Sequence, residues 1–184
     1  SVENPMLLEA KGMKKRLISS VLIMLPLMYI SMGYMFGWPL PAFISGIENA
    51  VSFAFLQFLL AMAVSLINRK FYTVGFRSLL RGQPNMDALV AMGAGAALVY
   101  GVFAIFRMSY GLGIGDLVLV ERYYHDLYFE SSAMILTLIT VGKFLEARSK
   151  GKTSKAIERL MDLAPKQARV IRDGVEQLVP VESV

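Results

Sequence analysis

The sequence has 184 residues, is 55% hydrophobic and only 18% charged, and has a mean hydropathy of +0.53, which together exclude an ordinary water-soluble domain. Its 19 Lys and Arg against 14 Asp and Glu leave a formal charge of +5, but the basic residues stand at the ends of apolar blocks, and no RNA- or DNA-binding pattern is present, so nucleic acid is not the expected partner. With no cysteine, the chain contains no disulfide framework, zinc knuckle or thiolate nucleophile.

Four apolar blocks reach the about 20 residues that a bilayer requires at about 1.5 Å per residue. The expected fold is an all-α polytopic membrane protein with four transmembrane helices. Residues 1–16 are polar, with Lys11, Lys14, Lys15 and Arg16 directly before the first block, and read as a cytoplasmic anchor instead of a cleavable signal. The first two membrane helices occupy residues 17–68. One runs from Leu17 to Phe36, with Pro26 in its middle predicting a kink. Met24, Met28, Met32 and Met35 recur on it at helical spacing, which reads first as adaptable packing and second as a face attractive to a soft metal. The uncharged turn GWPLPAFISG then leads into a second helix from Ile47 to Asn68.

Residues 69–82, RKFYTVGFRSLLRG, mix basic and apolar side chains as an amphipathic helix lying in the interface does, with Gly75 as its expected bend. Two readings stand side by side: a snorkelling flank that sets orientation, or a docking platform made by Arg69, Lys70, Gly75, Arg77 and Arg81. Residues 83–149 hold the other two membrane helices. The third starts at Pro84 or Asn85 and ends near Phe106, with Asp87 in its first turn as a partner for the helix dipole and GAGAA at 93–97 as a close-packing segment. Residues 107–124 are expected to form an outer loop made flexible by Gly111, Gly113 and Gly115, with His125 and Asp126 in a solvated interfacial position.

The fourth helix, Tyr128 to Arg148, carries Glu130 near one end and Glu146 near the other, with Lys143 one turn before the second. An ionisable group at the centre of a bilayer costs about 2.5–3.5 kcal/mol on insertion scales, so each asks for a reason. The choices are a functional site or an interfacial cap paired with Lys or Arg. Their 16-residue separation corresponds to about 24 Å of helix rise, which places them at opposite ends of one crossing. Lys150, Lys152, Lys155 and Arg159 follow, so the positive-inside rule puts both termini and the middle loop in the cytoplasm of a cell-membrane protein. Residues 150–184 then continue as an amphipathic helix ending before Pro165 and two alternating strands about Asp173-Gly174, the start of a soluble β-rich domain. Opening on SVENPM and closing on VPVESV, the chain is expected to be cut at both ends.

The runs FYTVGFRSLLRGQPNMDALVAMGAGAA and YFESSAMILTLITVGKFLEARSKGKTSKAIERLMDLAPKQARVIRDG together resemble the copper(I)-exporting subclass of P-type ATPases. The resemblance implies two class-specific helices, two core helices and the truncated start of the actuator domain. It implies copper(I) as the transported ion, with ATP and Mg2+ bound outside this stretch. By the same resemblance, Met86 in Asn-Met-Asp and Glu146 in Gly-Lys-Phe-Leu-Glu take up copper at the cytoplasmic mouth, and Glu130 in Tyr-Phe-Glu releases it on the far side. The implied partners are the lipid bilayer, a cytoplasmic copper chaperone or an N-terminal metal-binding domain docking at residues 69–82, and the remainder of the same ATPase chain. The family's Cys-Pro-Cys, Asp-Lys-Thr-Gly and Thr-Gly-Glu motifs are expected beyond residue 184. One departure stands out: the family often kinks its second helix at a Gly-Gly pair, whereas Ile67 and Asn68 occupy those positions here. The alternatives are a zinc, cadmium or lead P-type ATPase and, from another class, a non-enzymatic four-helix scaffold or channel subunit.

Overall fold

Helix α1 begins twelve residues before its apolar block, at Pro5, and runs on through Pro26 to Phe36 in a computed structural model that describes residues 5–162, 167–172 and 175–180. The basic anchor is therefore the first turns of the same helix, which projects about 18 Å beyond the apolar part. A proline at the first helical position is favourable because its missing N–H has no helical partner to lose.

Two short 3-10 turns, Ala42–Ile44 and Ile47–Asn49, lead into α2 (Ala50–Ile67), and α3 (Arg69–Leu80) follows after the single residue Asn68. The remaining helices are α4 (Met86–Ile114), α5 (Leu117–His125) and α6 (Phe129–Asp162). Among the described residues, four helical stretches, Leu8–Phe36, Ile47–Ile67, Met86–Ile114 and Leu117–Ser154, are long and apolar enough to cross a membrane. The amphipathic continuation expected after the fourth crossing belongs to the same element, as α6 runs unbroken for 34 residues. Strand β1 (Gln167–Arg172) pairs antiparallel with β2 (Val175–Pro180), Arg172 opposite Val175, while the expected Asp173-Gly174 turn lies outside the described residues.

Both α1 and α4 pack on α2 and α6, and α3 packs on α4. In lipid the apolar surface gains little by helix contact, so close approach of small residues and interhelical hydrogen bonds have to hold the bundle. The buried positions fit that requirement: Ala54 and Ala61 on α2, Ala91 and Ala94 on α4 and Ala133 on α6 are fully enclosed. Within the 93–97 segment, the Ala94 carbonyl accepts a hydrogen bond from Ser132 Oγ at 2.9 Å across the α4–α6 contact.

Two local expectations change. The outer segment 107–124 is not a flexible loop: α4 continues to Ile114, Asp116 caps α5 by accepting from Leu119 N at 3.0 Å, and α5 fills the rest. Its glycines serve packing and capping. A Cβ on Gly111 would come within 2.8 Å of Val120 Cγ2, and Gly115 terminates α4 in the left-handed region at φ 73°. Likewise Gly75 does not bend α3, which is helical throughout; it is buried where α3 crosses α4.

The break between α2 and α3 occurs at Asn68 without the help of glycine. Asn68 is fully buried. Its Nδ2 donates to Ser20 Oγ on α1 at 2.8 Å and to the Val64 carbonyl at 3.0 Å, and its Oδ1 accepts from Thr140 Oγ1 on α6 at 3.0 Å. An asparagine that bonds locally to backbone and outward to neighbours competes with helix continuation.

Candidate functional site

The polar residues gather at the two ends of the bundle, one carrying the basic flanks and one opposite. At the basic end, Met86 is the first residue of α4 and is 53% exposed, so its thioether is open to the surroundings. It is held in place by its neighbour: Asn85 caps α4 by accepting from Ala88 N at 2.9 Å and also accepts from Ser78 Oγ of α3 at 3.1 Å. Asp87 does more than face the helix dipole. It forms a part-buried ion pair with Lys143 of α6 at 2.6 Å, and Lys143 Nζ lies 5.0 Å from the centre of the Phe71 ring. One lysine thus ties α3, α4 and α6 together next to Met86.

Glu146 lies one turn further along α6 and pairs with Lys150 at 2.5 Å, both side chains being well exposed. A cavity of about 320 Å³ opens beside it, lined by Glu9 and Met13 of α1 and by Lys143, Glu146, Ala147 and Lys150 of α6. Met86 stands outside that lining set. Asp87 follows Met86 in α4, and its partner Lys143 stands one turn before Glu146 in α6. Glu9 and Met13 escaped sequence reasoning because their segment looked like a charged anchor, and only its helical continuation brings them to α6.

These two ion pairs differ in what they do for the fold. Solvent screens Glu146–Lys150, so its loss matters little to stability. Breaking Lys143–Asp87 leaves a carboxylate only 16% exposed without its partner. Lys143→Met is expected to lower unfolding stability by about 1–2 kcal/mol, and Lys150→Met to leave it unchanged, both read from thermal unfolding in detergent.

Arg69, Lys70 and Arg77 of α3 and Arg81 directly after it are exposed, while Gly75 faces α4. Arg77 and Arg81 line an open cavity of about 490 Å³ together with Val74, Ser78, Gln83 and Asn85.

At the opposite end, Glu130 is the second residue of α6 and is half-buried. Its Oε1 accepts from Ser131 Oγ at 3.3 Å, and its Oε2 is buried with no hydrogen-bond partner among the described residues. Glu130 lines a cavity of about 230 Å³ that also includes Met32, Met35, Gln57 and His125. His125 is not merely a solvated edge residue, since Tyr34 hydroxyl meets its Nδ1. Gln57 was passed over in the sequence, although a single amide inside an otherwise apolar α2 was a signal that could have found it.

Four helical stretches long and apolar enough to cross a membrane, a basic amphipathic helix and polar groups at both ends of the bundle define a multi-pass membrane protein. No family model matches the chain. It is 33% identical over 178 residues, 96% of its length, to a copper-exporting P-type ATPase of Staphylococcus saprophyticus, and 35% identical over 170 residues, 92% of its length, to one of Staphylococcus aureus strain JH9. The chain is therefore a homologue of copper-exporting P-type ATPases. It spans about a fifth of the length of these relatives, 20% and 19% respectively.

Proposed function

We propose that this chain is the membrane portion, with the start of the actuator domain, of an ATP-driven copper(I) exporter, and that both its termini face the cytoplasm. The observation that carries this reading is the match to the two staphylococcal proteins over more than nine-tenths of the chain, across all four crossings. Met86 and Glu146 take up copper at the cytoplasmic mouth. A thioether binds copper(I) without adding charge, and a carboxylate is a poorer ligand suited to brief transfer. The exposed Glu146–Lys150 pair supports such a transfer, because Lys150 yields to an incoming cation at little cost. Asp87, held by Lys143, is kept from competing as a ligand.

Glu130 receives copper at the far end before release. The exposed cations Arg69, Lys70 and Arg77 of α3 and the adjoining Arg81 dock an acidic face of a copper chaperone or metal-binding domain, and Gly75 lets α3 lie close enough to α4 to hold that platform beside Met86. ATP and Mg2+ act in parts of the protein outside this stretch.

In the full-length protein, Met86→Ala and Glu146→Ala are each expected to reduce copper-stimulated ATPase activity about tenfold, equivalent to about 1.4 kcal/mol. Unchanged copper dependence in both variants removes the uptake assignment, and stimulation by zinc, cadmium or lead in preference to copper replaces the ion. For Glu130→Ala, the measurement is copper delivery into the lumen of reconstituted vesicles. A slower release with normal uptake is expected, and a normal release rate would sink the exit role.

A further inference from the structure

A groove of about 770 Å³, within the size range of ligand sites, opens on the side of the bundle between α2, α3 and α4. Phe58 and Met62 of α2 form one wall, and the stretch of α4 from Ala91 to Val102 forms the other. The groove is deep there because Gly95 and Ala96, in the 93–97 segment, have almost no side chain to fill it. Every lining residue is apolar. From Ala91 to Val102 the helix rises about 16 Å, about half of the roughly 30 Å hydrocarbon thickness and so the depth of one leaflet.

At the basic end α3 closes the groove. Phe76 lines it, and the neighbouring Gly75 sits against Asp87 and Ala91 of α4. A membrane-crossing helix, about 10 Å across, laid along the groove would run into α3. An acyl chain instead ends at the interface, the depth at which an amphipathic helix lies. The cations divide accordingly. Arg69, Phe76 and Leu80 stand at i, i+7 and i+11 and share one face, on which Phe76 is 47% and Leu80 89% exposed. Lys70, Arg77 and the adjoining Arg81 repeat that spacing one position, about 100°, further round. Of these four cations, Arg69 alone stands on the apolar face that meets the groove. A guanidinium in that position matches a phosphate through paired, charge-assisted hydrogen bonds.

We propose that this groove binds one anionic phospholipid of the leaflet at the basic end, with an acyl chain between α2 and α4 beneath Phe76 and the headgroup phosphate on Arg69. Apolar contact by itself does not discriminate one lipid from another inside a bilayer, so the preference for an anionic headgroup comes from the arginine, about fivefold for one basic residue at a membrane surface. Lys70, Arg77 and Arg81 stay turned away from the groove. The inference goes beyond the copper-export reading and holds whichever ion is carried.

The test uses the full-length protein, delipidated in detergent and titrated with dioleoylphosphatidylglycerol or dioleoylphosphatidylcholine, with bound lipid counted by native mass spectrometry. The wild type should bind one phosphatidylglycerol about fivefold more tightly than phosphatidylcholine. Arg69→Gln should abolish that preference, Arg81→Gln on the other face should preserve it, and Ala96→Phe, which fills the groove, should lose both lipids. Equal affinities in the wild type, a preference kept in Arg69→Gln or lost in Arg81→Gln, or undiminished binding in Ala96→Phe overturns the proposal. A second measurement does not depend on how a filled groove folds. Val99, 71% exposed in the groove wall, is replaced by photoreactive benzoylphenylalanine in the membrane-embedded protein. A cross-link to phospholipid is expected; a cross-link to a later segment of the same chain, or to a second copy, assigns the groove to protein and overturns the lipid site.

Discussion

Gly75→Leu lowers the unfolding stability of the bundle by about 3 kcal/mol, at the upper end of what overpacking a tight contact costs. A Cβ at this position would lie 2.7 Å from the Asp87 carbonyl carbon and 2.9 Å from Ala91 Cβ, and closer still to the Asp87 carbonyl oxygen. Two of these three atoms are backbone, so no side-chain rotation relieves the collision. The whole of α3 has to lift away from α4. Because Asp87 carries the ion pair with Lys143, the displacement also pulls on the contact that organises the basic end around Met86. Gly12→Ala provides the control: nothing among the described residues stands within 4 Å of a Cβ there, and replacing a helical glycine should raise stability by about 0.5–1 kcal/mol. Thermal unfolding of both variants in the same detergent decides the matter, and a Gly75→Leu midpoint equal to wild type would show that α3 is not seated on α4.

Asn68→Leu is expected to cost about 2 kcal/mol, and by a different mechanism. The substitution removes three hydrogen bonds at once and leaves Ser20 Oγ without the donor that reaches it, in a place where neither side chain meets water. Interhelical hydrogen bonds in membranes average about 0.6 kcal/mol, and an orphaned hydroxyl adds its own penalty. Thr140 is affected less, since its hydroxyl also donates to the Leu136 carbonyl at 2.7 Å. A double-mutant cycle separates these contributions. Ser20→Ala and Asn68→Leu should be strongly non-additive because they delete the same bond. Additive losses would mean that the Asn68–Ser20 contact carries no coupling energy. A second consequence is local: without the hydrogen bonds of its asparagine, α2 loses the reason for ending at Ile67, and the start of α3 should become less well defined.

The helices were legible because the bilayer imposes a length on every crossing, and a run of apolar residues satisfies it irrespective of what surrounds it. The positions of Glu130, Glu146 and Met86 were legible as well, the first two as ionisable groups in an apolar helix and all three through the resemblance of the surrounding motifs. The outer segment 107–124 was not, since glycine permits two opposite outcomes. Gly111 and Gly115 were read as sources of flexibility, but one admits Val120 at close range and the other closes α4 with a left-handed residue. Glycine has no side chain with which to advertise its neighbours. Glu9 and Met13 were hidden for a related reason: a basic flank looks the same whether it wanders into water or, as here, continues as helix to line a cavity with Glu146.

The sequence by itself determined the number of membrane helices, their approximate ends and the clustering of basic charge at one face, because hydropathy and charge are properties that add up residue by residue along the chain. Only the tertiary structure decided which polar groups meet. Asn68 finds Ser20 48 positions away and Thr140 72 positions away, and Asp87 finds Lys143 56 positions away. Such pairings depend on how each helix is rotated about its axis and where it crosses its neighbours, and a shift of one residue, about 100° on a helix, would turn every one of these side chains toward a different partner. In a low-dielectric interior, where an unmade hydrogen bond is costly, that choice separates one bundle from the many that the same apolar blocks could otherwise build.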